Sequence, residues 1–249
     1  MDASAYFGGA SAGLFYLLVG IRLVRLSART GQAPERLLGS SFLLWSLSYL
    51  CWQLPIANPD QPLAAPLFFV GRVLSYTATV LCAVFSRLVF RNQERWATGL
   101  VIGIAIGLSV GVAGSAAVGD WEGIRPLSNP WWWLECLVYS AAMAWIGVEG
   151  LVEYSKARQR RRLGLCDALV CNRYLLWGLA GVVWTLYAWV LAAQTVHFER
   201  NQAWSVSLDN LDGAIEFLAI AIVWIAFFPP AGYRRWLHGG IPVADTAKV

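Results

Sequence analysis

Lysine is nearly missing from this chain. Of 249 residues only Lys156 and Lys248 carry an ammonium group, histidine occurs twice, and all charged residues together make up 14%. A soluble domain of this size carries roughly a quarter charged residues, so a water-solvated surface all round is excluded. Two histidines, both near the ends of apolar runs, are too few for bis-histidine haem ligation within a membrane. The five cysteines form no Cys-x-x-Cys pair, and Cys51, Cys82 and Cys136 fall inside apolar runs, which argues against a disulfide framework or a zinc site. Catalytic signatures are missing too. There is no His-Glu-x-x-His, no glycine-rich phosphate loop and no Ser–His–Asp set. The expectation is a non-enzyme with no catalytic residues, no metal and no nucleic-acid partner.

What is present is hydrophobic, at 58% of the chain. Windows of about 20 apolar residues, enough to span a bilayer, fall at 5–26, 37–57, 66–90, 96–118, 131–154, 169–196 and 208–230. The expected fold is all-α: one domain, residues 1–249, forming a bundle of seven transmembrane helices. The first run follows no basic segment and exceeds a signal-peptide core, so it reads as a retained helix. Arg and Lys concentrate in the first, third and fifth loops and in "GYRRW" near the C-terminus, whereas Asp60, Asp120, Glu122 and Glu199 lie in the other loops. The positive-inside rule then puts the N-terminus outside and the C-terminus in the cytoplasm, with Gly31 inside and Asp120 outside. Trp121, Trp131, Trp132, Trp133 and Trp204 mark an outer aromatic belt, and Trp96 and Trp236 an inner one.

The expected location is a bacterial inner (plasma) membrane, and the expected partner is the lipid bilayer. The basic run Lys156 to Arg162 serves first as an orientation signal; anionic lipid or a cytoplasmic or membrane signalling partner is a further reading of the basic loops. One internal echo stands out. "FLLWSLSYLCW" in the second run resembles "YLLWGLAGVVW" in the sixth, matching Trp45 with Trp177 and Trp52 with Trp184. Such an echo suggests a parallel 3+1+3 duplication of the kind some transporters carry.

Ionisable side chains inside these runs matter most, because each costs at least a few kcal/mol unless paired or wetted. Asp209, Asp212 and Glu216 are spaced three and four apart, so they share one helical face. Arg72 leads a polar face of the third run that continues through Ser75, Tyr76 and Thr79. Its depth matches that of Asp212 and Glu216, so the expected ion pair joins Arg72 to one of them. The fifth run aligns Glu135, Tyr139 and Glu149; the sixth carries Trp177, Trp184, Tyr187 and Gln194. The candidate ligand pocket is Arg72, Ser75, Tyr76, Thr79, Trp184, Tyr187, Asp212 and Glu216.

These residues resemble a microbial (type 1) rhodopsin pattern. "RVLSYTAT" places Arg72, Tyr76 and Thr79 where that family has Arg, an aromatic residue and Thr. Trp184-x-x-Tyr187 is similar to the family's Trp-x-x-Tyr on the retinal pocket, and Asp212 stands where it has a second counterion. The resemblance implies a seven-helix cup with an aromatic pocket. It breaks at the chemistry: Glu216 occupies the place of the Schiff-base lysine, Ser75 that of the primary counterion, and Ala188 that of the proline after Tyr187. Covalent retinal is therefore excluded; no cofactor is expected, although a non-covalent apolar pigment or quinone is compatible with the pocket. The functional expectation is a membrane receptor or sensor. The alternatives are a small-solute or ion transporter built on the 3+1+3 repeat, and a structural subunit of a larger membrane complex.

Overall fold

The computed structural model describes residues 3–57, 62–203 and 205–237, with side chains from residue 12 onward apart from 55–57. The expectations placed on Asp60, Trp204 and Lys248 lie outside the described residues. Within them every regular element is a helix: α1 (Ala3–Thr30), α2 (Ala33–Ala57), α3 (Ala64–Phe90), α4 (Arg95–Ala117), α5 (Pro130–Arg162), α6 (Ala168–Asn201), α7 (Val206–Phe227) and the short α8 (Ala231–Leu237). Six of these, α2 to α7, are long and apolar enough to cross a membrane. This is a helical membrane protein.

α5 and α6 outrun their apolar windows into charged residues. The run Lys156 to Arg162, expected in a loop, forms the last two turns of α5, and α6 continues to Asn201. Hydropathy marks where lipid ends, whereas Arg, Lys, Glu and Gln are good helix formers that carry the helix on into water. Helix starts follow local chemistry. Asn129 caps α5 by accepting from the Trp131 N–H, with Pro130 in the first turn. Asp167 caps α6 through the N–H groups of Leu169 and Val170, and Ser205 caps α7 through that of Leu208.

The packing order explains what can meet what. α1, α2, α3, α5, α6 and α7 form a closed ring in which each helix touches its two ring neighbours, and α4 packs outside the ring against α3 and α5. α3 and α7 are not neighbours in this ring. The ring interior holds one apolar core, built largely of rings: Tyr16, Phe42, Trp45, Trp177 and Trp184 are all buried in it. Trp45 and Trp184 meet across the ring at 5.4 Å between centroids, and Trp177 sets its edge on Phe85 at 5.4 Å. The four tryptophans of the sequence echo thus share one cluster, with Trp52 packed at its side.

α5 and α6 make the closest approach, backbone against backbone. A Cβ on Gly150 would lie 2.6 Å from the backbone N of Gly178, and one on Gly181 would lie 2.5 Å from the Cα of Gly147. Small residues allow this contact, which dispersion and packing reward inside a membrane. The glycine-rich α4 is only partly of this kind. Gly107, Gly111 and Gly114 make room for Val138, Glu135 and Trp131, but Gly99 and Gly103 face open space. Gly181→Val should therefore lower the thermal midpoint in detergent sharply, while Gly103→Ala leaves it unchanged or slightly higher. Circular dichroism melts of the two variants check this.

Candidate functional site

Arg72 does not pair with α7. Its Nη2 lies 2.6 Å from Oε1 of Glu135 on α5, with Oε2 at the same distance, and the ion pair is buried on both sides. Its Nη1 donates to the backbone carbonyls of Asp120 (3.0 Å) and Trp121 (3.3 Å) in the α4–α5 loop. The expected partners, Asp212 and Glu216, lie on α7, which is not a ring neighbour of α3, and neither forms an ion pair with Arg72. That expectation is corrected.

The pair is the centre of a wider lock. Ser115 of α4 donates to Glu135 at 2.6 Å, and Asn129 donates both to Ser115 and to Asp120. The second Asp120 oxygen accepts from the N–H groups of Gly123 and Ile124, which folds the loop back over the guanidinium. Gly123, with φ of +73°, lies so close that a Cβ there would sit 2.9 Å from the Arg72 Cζ. The indole N–H groups of Trp132 and Trp133 fasten the same loop by donating to the Gly123 and Pro126 carbonyls. Every group in the lock has its partner, and no ligand is needed to complete it.

A second Arg–Glu pair joins α3 and α5 at their other end. Arg91, just beyond α3, donates to both oxygens of Glu149 at 2.9 and 3.0 Å, and the Trp145 indole donates to the same carboxylate. This bond holds the Arg91 guanidinium above the ordinary arginine range. Arg91 also lies 5.7 Å over the Trp96 ring.

Asp212 and Glu216 remain. Asp212 Oδ1 and Glu216 Oε1 are buried and have no hydrogen-bond partner, and no cation pairs with either among the described residues. Glu216 is 8% exposed, Asp212 is half-buried and Asp209 is exposed, so the three carboxylates descend along α7 from surface to core. Glu216 lies within electrostatic range of Tyr16 on α1; Asp212 lies within range of Tyr139 on α5 and Tyr187 on α6. Trp184 stands beside Tyr16.

The candidate pocket residues therefore divide. Tyr187 lies within electrostatic range of Asp212, and Trp184 is buried in the aromatic core, whereas Arg72 and Tyr76 gather at Glu135 on the α3–α5 side. Ser75 and Thr79 are buried on α3, where the Thr79 hydroxyl bonds back to the Ser75 carbonyl. Tyr139 borders both groups, with its ring 6.4 Å from that of Tyr76. Tyr16 was not singled out in the sequence. A tyrosine among the aliphatic residues of α1 gives no sign of which partner helix it faces.

No protein-family model, no curated protein and no solved structure matches this chain. Function must be read from these residues.

If Arg72 answers Glu135, Arg72→Leu strands a buried carboxylate, a break that typically costs about 3–5 kcal/mol. Adding Glu135→Gln should recover part of the loss, whereas adding Glu216→Gln should not. Thermal midpoints of the single and double variants in detergent check the coupling, and additive effects of Arg72→Leu and Glu135→Gln would contradict the pair.

Proposed function

We propose that this chain is a receptor- or sensor-like membrane protein that binds a small ligand within the bundle, at Asp212 and Glu216. The carrying observation is the pair of buried, unpartnered carboxylates. Two other acids of the bundle, Glu135 and Glu149, each receive an arginine and further donors. An unmatched buried ionisable group is expensive and marks intramembrane sites of function.

In this reading α1 is a seventh span, and the end carrying the α4–α5 loop faces outside. Ligand approaches past Asp209 and Asp212, reaches Glu216, and shifts α7 and α1 against the rest of the ring. The basic end then presents Arg161 and α8, already joined by the bond from Arg161 to the Leu237 carbonyl and from Tyr233 to Asn172, to a signalling partner or anionic lipid in a bacterial plasma membrane. The likeness to microbial rhodopsins enters as scaffold alone: a helical cup whose chromophore lysine is replaced by an acid.

A transport reading draws on the ring itself. α1–α2 packs as α5–α6 does, α2–α3 as α6–α7, and α7–α1 as α3–α5, with α4 outside, which is the contact pattern a 3+1+3 duplication would leave. The aromatic core that fills the axis favours sensing over passage.

Two experiments test these proposals. A cysteine placed at Glu122 should react with a membrane-impermeant maleimide on intact cells, and one at Gln32 only after permeabilisation; the reverse pattern would invert the bundle. For the site, the double variant Asp212→Asn, Glu216→Gln should melt no lower than the native protein, because no partner is lost. In a thermal-shift panel of anionic, cationic, neutral and apolar solutes, at least one class should stabilise the native protein and not the double variant. A double variant that melts well below the native protein would show that the acids hold the fold together instead.

A further inference from the structure

The basic end of the bundle holds a cavity remote from the acids of α7. It is partly open, about 130 Å³ in volume, and lined by Phe85, Val89 and Phe90 of α3, Arg173, Tyr174 and Trp177 of α6, and Ala226 and Phe227 of α7. α6 and α7 are ring neighbours, but α3 neighbours neither, so the cavity spans the mouth of the ring rather than a seam between two helices. Ala226 stands ten residues past Glu216, which is about 15 Å farther along α7. We infer that this cavity is a binding site for a small organic anion, a monocarboxylate carrying one ring-sized apolar group.

Size and wall set the apolar part. The lining surface is carbon, so water inside would find no hydrogen-bond partner, and cavities of this kind stay dry. An apolar cavity of about 150 Å³ admits benzene. A volume of about 130 Å³ therefore suits one ring or a short branched alkyl group, and it is too small to enclose a full acyl chain. Five of the lining side chains are aromatic and run in one series. Phe227 meets Trp177 at 6.1 Å, Trp177 meets Phe85 at 5.4 Å, Phe85 meets Phe90 at 6.4 Å and Phe90 meets Tyr174 at 6.0 Å between centroids. All four contacts are edge-on, the arrangement in which rings attract one another beyond the area they bury. A ring entering the cavity extends that series.

Charge sets the other part. Arg173 is exposed and gives only apolar surface to the wall, so its stem lines the cavity while its guanidinium stays outside, as long cationic side chains do at a membrane boundary. It forms no ion pair among the described residues, whereas the α5 acids toward this end are taken, Glu149 by Arg91 and Glu153 by Lys156. Arg160, Arg161, Arg162, Arg234 and Arg235 are exposed at the same end, a field that draws anions and repels cations. Arg173 precedes Trp177 by four residues, about 6 Å of helical rise. A carboxylate two or three bonds from its ring thus reaches the guanidinium while the ring lies against Trp177.

The probe is para-fluorophenylpropionate, with the corresponding propanol and the protonated propylamine as controls of similar shape, added to the full chain in phosphatidylcholine nanodiscs. Dissociation constants come from fluorine NMR line widths. The carboxylate should bind about fivefold more tightly than the alcohol, the gain that an exposed charge pair can give, and the ammonium should bind more weakly than either. Arg173→Gln should remove the preference for the carboxylate and leave the alcohol unchanged. Filling the cavity with Ala226→Leu should weaken the carboxylate and the alcohol roughly tenfold, and so should Val89→Trp, at a position exposed enough for the fold to keep it. The double variant Asp212→Asn, Glu216→Gln should bind as the native protein does, which separates this site from the ligand reading of those acids. Equal affinity for carboxylate and ammonium, binding that the filled variants retain, or no binding of any probe would overturn the inference. If phosphatidylglycerol in the disc displaces the neutral alcohol, which an anionic surface does not repel, a lipid occupies the cavity and the soluble-ligand class falls.

Discussion

The buried pair between Arg72 and Glu135 is the constraint around which the bundle is arranged. An arginine inside an apolar helix is tolerable only with a carboxylate and further acceptors in reach, and here all of them come from α5 and the loop that precedes it. That requirement draws α5 against α3, places α4 outside the two, and folds the α4–α5 loop over the guanidinium. Gly111 yields its side-chain volume to Glu135, Ser115 donates to that carboxylate and accepts in turn from Asn129, and Gly123 adopts a left-handed φ where a side chain would collide with the guanidinium. With Arg91 and Glu149 joining the same two helices at the other end, α3 and α5 are the fixed half of the molecule.

The opposite half is held differently. α1 and α7 meet each other and their ring neighbours through aliphatic and aromatic packing, with Phe15 edge-on to Trp224 and Arg22 over the Phe228 ring. No salt bridge ties α7 to any other helix among the described residues. Packing of this kind is non-directional, and it gives way to small shifts more readily than a bidentate Arg–carboxylate pair does. The unpartnered acids are on this side. The bundle thus has one half locked by two ion pairs and another held by packing and a few neutral hydrogen bonds, such as that from Ser46 to the Gly13 carbonyl.

Much of the fold was legible because a bilayer imposes simple rules. Six of the apolar windows reappear as membrane-length helices, with bounds that differ mainly where charged helix-forming residues prolong α5 and α6. The site was legible by residue and not by partnership. Arg72, Asp212 and Glu216 announced themselves as ionisable groups in lipid, and their depths could be counted from the helix ends. Depth is one coordinate, however, and the angular position of a helix in the ring is another. Only the second separates Glu135 from Asp212 as a partner for Arg72, and a single sequence carries no signal for it. Glu135 is visible in the sequence on the same stripe as Tyr139 and Glu149, but nothing in that stripe sets it against Arg72.

The distribution of satisfied and unsatisfied acids is itself an argument. Natural chains lie only a little above the stability they need, and groups that lower stability without folding benefit persist mainly where function uses them. Glu135 and Glu149 are matched donor by donor, so this fold is capable of neutralising buried carboxylates where structure demands it. An alanine or leucine at 212 and 216 would pack in the same space without leaving a polar atom unanswered. Instead two acids stand one turn apart with buried oxygens unanswered, at the end of a descending row that begins at the exposed Asp209.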